Sequence, residues 1–379
     1  MRRLVLIMAM LGLLTACKHH RPTVIYASAY SGTVDQRVNA CITDAISTSV
    51  GICDATDVTG SLTGEIEVGN HNQQAVTVML PKAGEWISSI DDGHSCAIRQ
   101  YSNTAIVGSN TGNPHHAAAS SQFSITTPGG LKTGPWALYC TEPATEATNG
   151  GSYVRISGVA FFNVSNAPMA GGASFIADGW FDNSIAESVL VFDGRNSAAI
   201  ARGLCCSATF RNVSLDGLQT APAPTLLFAN TASQYNIGFV MDGLSVTHPG
   251  PGHPNIACAH TGGSTWRWWD SITIHDLYME GNNTDLYTPH IQCDSVMALA
   301  IDGFTDERMN SGSTAYALQL TNTAAPYVKG QVVIDNFLWS PGSGTSTNAI
   351  DDQVHGSKAN TVTLGVSSGA GGLVRYAAP

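Results

Sequence analysis

Between residues 150 and 340 the chain repeats one apolar–polar phrase: an apolar residue, any residue, then Gly, Asn or Asp, and usually another apolar residue. It occurs as Ile156-Ser157-Gly158-Val159, Phe181-Asp182-Asn183-Ser184, Phe210-Arg211-Asn212-Val213, Met241-Asp242-Gly243-Leu244, Ile274-His275-Asp276-Leu277, Ile301-Asp302-Gly303-Phe304 and Ile334-Asp335-Asn336-Phe337. The third positions follow one another at steps of 25 to 33 residues. Steps of that size mark stacked repeats rather than a single-core globule. Gly, Asn and Asp tolerate the left-handed backbone conformation, so each repeat is expected to bend sharply there.

The flanks alternate as strands do. Phe239-Val240-Met241 precedes a bend, and Leu277-Tyr278-Met279 follows one. A third short run lies between units, as in Ile256-Ala257-Cys258, Ile291-Gln292-Cys293 and Leu318-Gln319-Leu320. Three strands, two loops and one bend per repeat, stacked in parallel at about 4.8 Å, predict an all-β fold. It is a right-handed, single-stranded parallel β-helix over residues 31–379. A propeller or sandwich would need a regular series of hairpin turns, and the Gly, Thr, Ser and Asn content of the units excludes helical repeats. One segment has a helical period instead. Val38, Cys41, Ile42, Ala45 and Ile46 share a face over residues 35–47, which predicts a helix capping the open end of the solenoid.

After that helix come Asp54-Ala55, a strand ending in Leu80-Pro81, and Gly84-Glu85-Trp86. This order resembles the opening of the pectate-lyase-like (pectin-lyase-fold) superfamily. The resemblance covers residues 35–90 by motif and 95–365 by repeat pattern. It implies a β-helix that acts on polysaccharide as a lyase, hydrolase or epimerase. Other members are tailspikes, adhesins or passive surface proteins, and fold alone does not choose among these.

Arg2-Arg3 precede an apolar run from Leu4 to Leu14, followed by Thr15-Ala16-Cys17. This is a secretory signal pattern, too short to span a membrane. Leu14-Thr15-Ala16-Cys17 resembles a bacterial lipobox. It implies removal of residues 1–16, lipidation of Cys17, a tether over 17–30, and a place in the cell envelope. Net charge is −11 and only 12% of residues are charged. Loss of Arg2 and Arg3 brings the mature chain near −13, which excludes a phosphate-binding face for nucleic acid. An exported chain permits disulfides. Cys41 and Cys53 are close enough in sequence to pair. Cys258 and Cys293 occupy equivalent inward positions, either as a cystine or as small buried apolar residues.

The resemblance implies a site on the outer face of the first strand of each unit. There lie Gln292 with Asp294, Gln319, and Asp351 or Asp352, with His260 as a proton shuttle. Carboxylates two rungs apart would stand roughly 9.6 Å apart, near the upper end of the separation inverting glycosidases use. Asn283-Thr284-Asp285 and Asp351-Asp352 resemble polygalacturonase motifs, but neither Gly-His-Gly nor Arg-x-Lys is present. A second column precedes the bends: Asp182, Arg211, Asp242, His275, Asp302 and Asp335. His275 between Asp242 and Asp302 would be a base with orienting partners, or part of a surface charge ladder. Asp302 beside Asp335 is repulsive unless a cation such as calcium sits there. Trp266, Arg267, Trp268 and Trp269 form a loop whose rings would stack on sugar or fill the core. The expected function is that of a polysaccharide-active lyase or hydrolase. The alternatives are a non-catalytic carbohydrate-binding or adhesive protein and a purely structural solenoid. The pattern fixes no oligomeric state.

Overall fold

All seven third-position residues have left-handed backbone: φ is 63° at Gly158, 56° at Asn183, 50° at Asn212, 68° at Gly243, 50° at Asp276, 74° at Gly303 and 49° at Asn336. The computed structural model describes residues 24–69, 74–109, 123–141, 153–163, 167–179, 183–204, 207–218, 220–230, 238–260, 271–281, 288–294, 296–307, 316–321, 330–340, 348–353, 361–365, 367–368 and 372–376. The leader, Cys17, most of the tether, Asp182, Asn283, Asp285 and the segment from Trp266 to Trp269 lie outside the described residues.

The strands Arg155–Asn163, Ile185–Asp193, Thr209–Asp216, Val240–Thr247, Ile272–Glu280, Ala298–Glu307 and Gln331–Ser340 pair in parallel in chain order. Here the expected strands before and after each bend are one strand. A single left-handed residue turns the chain, and the hydrogen-bond ladder resumes on its far side. In the earlier rungs the two arms are separate. Thr104–Val107 pairs with the first half of Arg155–Asn163, and Phe123–Thr126 with its second half. A second sheet stacks in the same order, from Ile66–Val68 to Gly372–Tyr376. It contains Ala173–Asp178, Ser197–Arg202, Leu226–Asn230, Ile256–His260, Ile291–Asp294, Leu318–Thr321 and Asn348–Asp352. The chain thus winds from one sheet to the other and back, as a right-handed parallel β-helix.

Register corrects one bend. Ser157 pairs with Glu187 and Val159 with Val189, so the partner of Gly158 is Ser188, with φ 54°. Asn183 is left-handed too, but it precedes the strand. From Asn212 onward the bends stack as the spacing predicts, because Arg211, Asp242, His275, Asp302 and Asp335 pair in sequence.

The core lies between the sheets and is built from equivalent positions on successive rungs. Tyr139 and Phe175 pair in register and stack with centroids 4.5 Å apart. Phe304 and Phe337 also pair in register, with tilted rings 4.9 Å apart. Trp86 of the Gly84-Glu85-Trp86 motif is fully buried, meets Phe123 edge-on at 5.1 Å, and donates from Nε1 to the Val58 carbonyl at 2.7 Å. The predicted cap is the helix Val34–Ser47, which buries Val38, Cys41, Ile42 and Ala45. Thr33 and Gln36 form its capping box, satisfying N–H groups that the first turn leaves without partners. The bond Cys41–Cys53 ties this cap to the first rung, and Cys258–Cys293 joins neighbouring rungs, with Cα atoms 5.6 and 4.5 Å apart. A third bond, Cys96–Cys140, spans 6.1 Å between Cα atoms in a smaller apolar cluster with Ile176 and Ile200. Among the described residues no helix is long and apolar enough to cross a membrane.

Candidate functional site

Parallel stacking turns each outward position into a column, so the site reduces to three columns. The first is on the second sheet. Gln292, Gln319 and Asp351 pair in register. They form a hydrogen-bonded chain: Gln292 Nε2 donates to Gln319 Oε1 at 2.8 Å, and Gln319 Nε2 to Asp351 Oδ2 at 3.2 Å. Gln353 Nε2 donates to the same Asp351 oxygen at 2.8 Å. Asp294 accepts from Thr321 Oγ1 at 3.0 Å.

Two expectations change here. Asp294 stands two residues along the strand from the column that holds Asp351. The two carboxylates are two rungs and two residues apart, roughly 12 Å at the backbone, not one above the other. Asp352 does not face outward. It pairs with the core residue Leu320 and is fully buried, because strand alternation gives Ile350 and Asp352 the inner face. His290 is buried as well, with Nδ1 2.7 Å from Asp306 Oδ1. His260 ends its strand, and its side chain lies outside the described residues. Elsewhere in this sheet Arg202 Nε meets Asp178 Oδ1 at 2.9 Å; burial raises the Asp178 carboxyl to about 6, against the pull of Arg202.

The second column precedes the bends. Glu187, not Asp182, takes its upper position, paired with Arg211. Arg211 spans two rungs, 3.6 Å from Glu187 Oε1 and 3.6 Å from Asp242 Oδ2. His275 and Asp302 continue the line as exposed side chains. Asp302 and Asp335 are paired, and Asn336 Nδ2 donates to Asp302 Oδ1 at 2.7 Å. Calcium needs six to eight oxygen ligands, and two exposed carboxylates do not fit it. Among the described residues no group of three His, Cys, Asp or Glu side chains is gathered for a metal. Cation and anion alternate along this column at Glu187, Arg211 and Asp242.

The third column follows the bends and contains the convergent set. Asp216, Thr247, Glu280 and Glu307 pair in register on successive rungs. Tyr278 lies two residues before Glu280 on the same face. His248 follows Thr247 with φ 54°, a conformation that turns its ring across the column. Its Nδ1 stands 2.7 Å from Asp216 Oδ1 and its Nε2 3.3 Å from Glu280 Oε1. Thr247 Oγ1 donates to Asp216 Oδ1 at 2.8 Å, and the Tyr278 hydroxyl to Glu307 Oε2 at 2.9 Å. The hydrogen bond and charge of Asp216, helped by Glu280, raise the His248 pKa against its partial burial. Burial, then the bond to Glu307, pushes the Tyr278 hydroxyl up. The His248 and Asp216 side chains remain 31% and 35% exposed, so a ligand can reach them. Two hydrogen-bond donors and three carboxylate acceptors thus share one patch, in which His248 is the group suited to proton transfer with a bound ligand.

None of these residues belongs to the repeated phrase. A signal was nonetheless present. From Asn212 to Gly303 the fourth residue after the bend is Asp216, Thr247, Glu280 and Glu307 in turn, three acids and a threonine at constant offset. His248 sits one place beyond it.

No family model matches the chain, and no curated protein does. Several solved structures resemble it. The A-module of the mannuronan C-5 epimerase AlgE6 from Azotobacter vinelandii is 11% identical, with a TM-score of 0.47 over 93% of this chain and 99% of that one. The A-module of AlgE4 from the same organism is 12% identical, with a TM-score of 0.44 over 93% and 97%. The catalytic unit of a thermostable α-1,3-glucanase from Streptomyces thermodiastaticus is 12% identical, with a TM-score of 0.38 over 92% and 69%.

Proposed function

We propose that this chain is a polysaccharide-active protein of the bacterial cell envelope, with its acid–base centre at Asp216, His248, Glu280 and Tyr278. One observation carries the reading: the His248 ring is held between two carboxylates on an open face, with a tyrosine hydroxyl two residues from one of them. The imidazole, bonded to Asp216, can give a proton to a bound group or take one from it, and Glu280 and Glu307 are acceptors. The ligand class is supported by shape. Outward columns of hydroxyl, carboxylate and imidazole groups, repeated rung by rung, suit a linear polymer rich in hydroxyls. The three carboxylates and the net charge of −11 favour an uncharged sugar over a polyuronate. Export and anchoring through lipidated Cys17 are part of the proposal, since they bring the protein to such polymers.

The test is a screen of neutral and uronate glycans for new reducing ends and for unsaturated products. Cleavage by the wild-type chain, lost in His248→Gln and in Glu280→Gln, is the expected result. Binding without cleavage on every glycan would leave a carbohydrate-binding protein, and neither binding nor cleavage would end the proposal. Cys17→Ser should release the protein from membranes. Continued retention would count against the anchor.

A further inference from the structure

Away from the His248 cluster, the outer face of the first rungs carries a shallow, open depression of about 570 Å³. Thr77, Ala105 and Arg155 line it in register on successive strands. Gly51 and Ala75 complete a floor of small side chains. Tyr153 stands at the wall, 56% exposed, with φ 57°. A tyrosine in left-handed backbone is uncommon and strained, and such residues persist where the surroundings over-determine them. This one is exposed and lines the depression. Arg155 points from the rim, its side chain 55% exposed and its Nη2 3.1 Å from Glu187 Oε2. One bond to Glu187 leaves other guanidinium N–H groups for a ligand.

We infer that this depression is a binding subsite for an uncharged sugar unit, separate from the acid–base centre; the ligand class rests on the proposed function. The volume falls within the range of small-molecule sites. The phenol ring offers an apolar face to the C–H face of a pyranose. Arg155 presents its remaining guanidinium donors to neighbouring hydroxyls, while Glu187, shared with Arg211, offsets part of its charge. The depression lies on the arm before the bend, the cluster on the arm after it. Four rungs part the strands Thr104–Val107 and Val240–Thr247, about 19 Å along the axis. A polymer held here would be anchored away from the bond being cleaved.

The test uses the full chain and neutral gluco- and manno-oligosaccharides, with affinity by calorimetry and contacts by saturation-transfer NMR. The variants are Tyr153→Asn, which suits left-handed backbone and removes the ring, and Tyr153→Phe, which keeps the ring. Tyr153→Asn is expected to weaken binding about tenfold, the loss of one good stacking contact. Tyr153→Phe should bind as the wild type does, and saturation transfer should reach the sugar from the Tyr153 ring. If the wild type binds an oligosaccharide and Tyr153→Asn binds it equally well, the subsite is wrong and the proposed function stands. If the wild type binds and cleaves none of them, the proposed function fails and the sugar subsite falls with it.

Discussion

Replacing Gly303 by alanine tests the bend column directly. Gly303 has φ 74°, and a Cβ there would lie 2.7 Å from Asp276 Oδ1 and 3.4 Å from Asp276 Cα. The oxygen ends an exposed side chain and can swing away, so the contact costs little. The backbone cannot. A residue with a Cβ in left-handed conformation costs roughly 1–2 kcal/mol. Alanine recovers about 0.4–1 kcal/mol by restricting the unfolded chain. The net expectation is a loss of about 1 kcal/mol, near a fivefold shift in the folding equilibrium. Gly129 supplies the control. It is exposed, has no left-handed φ, and a Cβ there meets nothing within 4 Å, so Gly129→Ala should leave stability unchanged or slightly raised. Urea unfolding followed by tryptophan fluorescence gives both midpoints. The predicted order places Gly129→Ala at or above the wild type and Gly303→Ala below it. A Gly303→Ala midpoint equal to or above the wild type would refute the claim that this position requires glycine-like backbone freedom.

Two further outcomes concern His248 and the Cys96–Cys140 bond. The His248 pKa is raised in the folded state by Asp216. Its contribution to stability is therefore fully present below the unfolded value of about 6.5 and lost as pH rises through the folded value. Stability measured against pH should show this step in the wild type and a flatter profile in His248→Gln; identical profiles would count against the clamp. The Cys96–Cys140 bond closes a separation of 44 residues. Exchange of both cysteines for serine should cost about 2–5 kcal/mol, read by calorimetry, and an unchanged melting temperature would show that the bond contributes nothing.

Much of the fold was legible because the bend residues recur at constant offsets from the strands. Asn212, Gly243, Asp276, Gly303 and Asn336 could be aligned by residue type alone, and the column from Arg211 to Asp335 came with them. Ser188 could not, because serine is not a left-handed signal and Asn183 offered a better match nearby. Only pairing on both sides separates the two. Asp351 and Asp352 show a second kind of ambiguity. In a strand, one step along the chain exchanges the inner face for the outer, and adjacent aspartates leave that parity open. The His248 cluster was the least legible. Its column of three acids and a threonine had a constant offset, but the imidazole joins it from the next position through a left-handed backbone turn. Side-chain direction of that kind is set by local φ and not by periodicity.

The corner that Gly243 and its counterparts supply has a consequence for how such a molecule can change length. Because the ladder resumes unaltered past that residue, one full coil behaves as a cassette. Deleting or duplicating it moves everything downstream by one inter-strand spacing, about 4.8 Å, and leaves the identity of each face intact. A single-residue insertion inside an arm would instead turn the rest of that arm inside out. The gap between Tyr153 and His248 can thus be adjusted only in whole coils, like notches on a ruler.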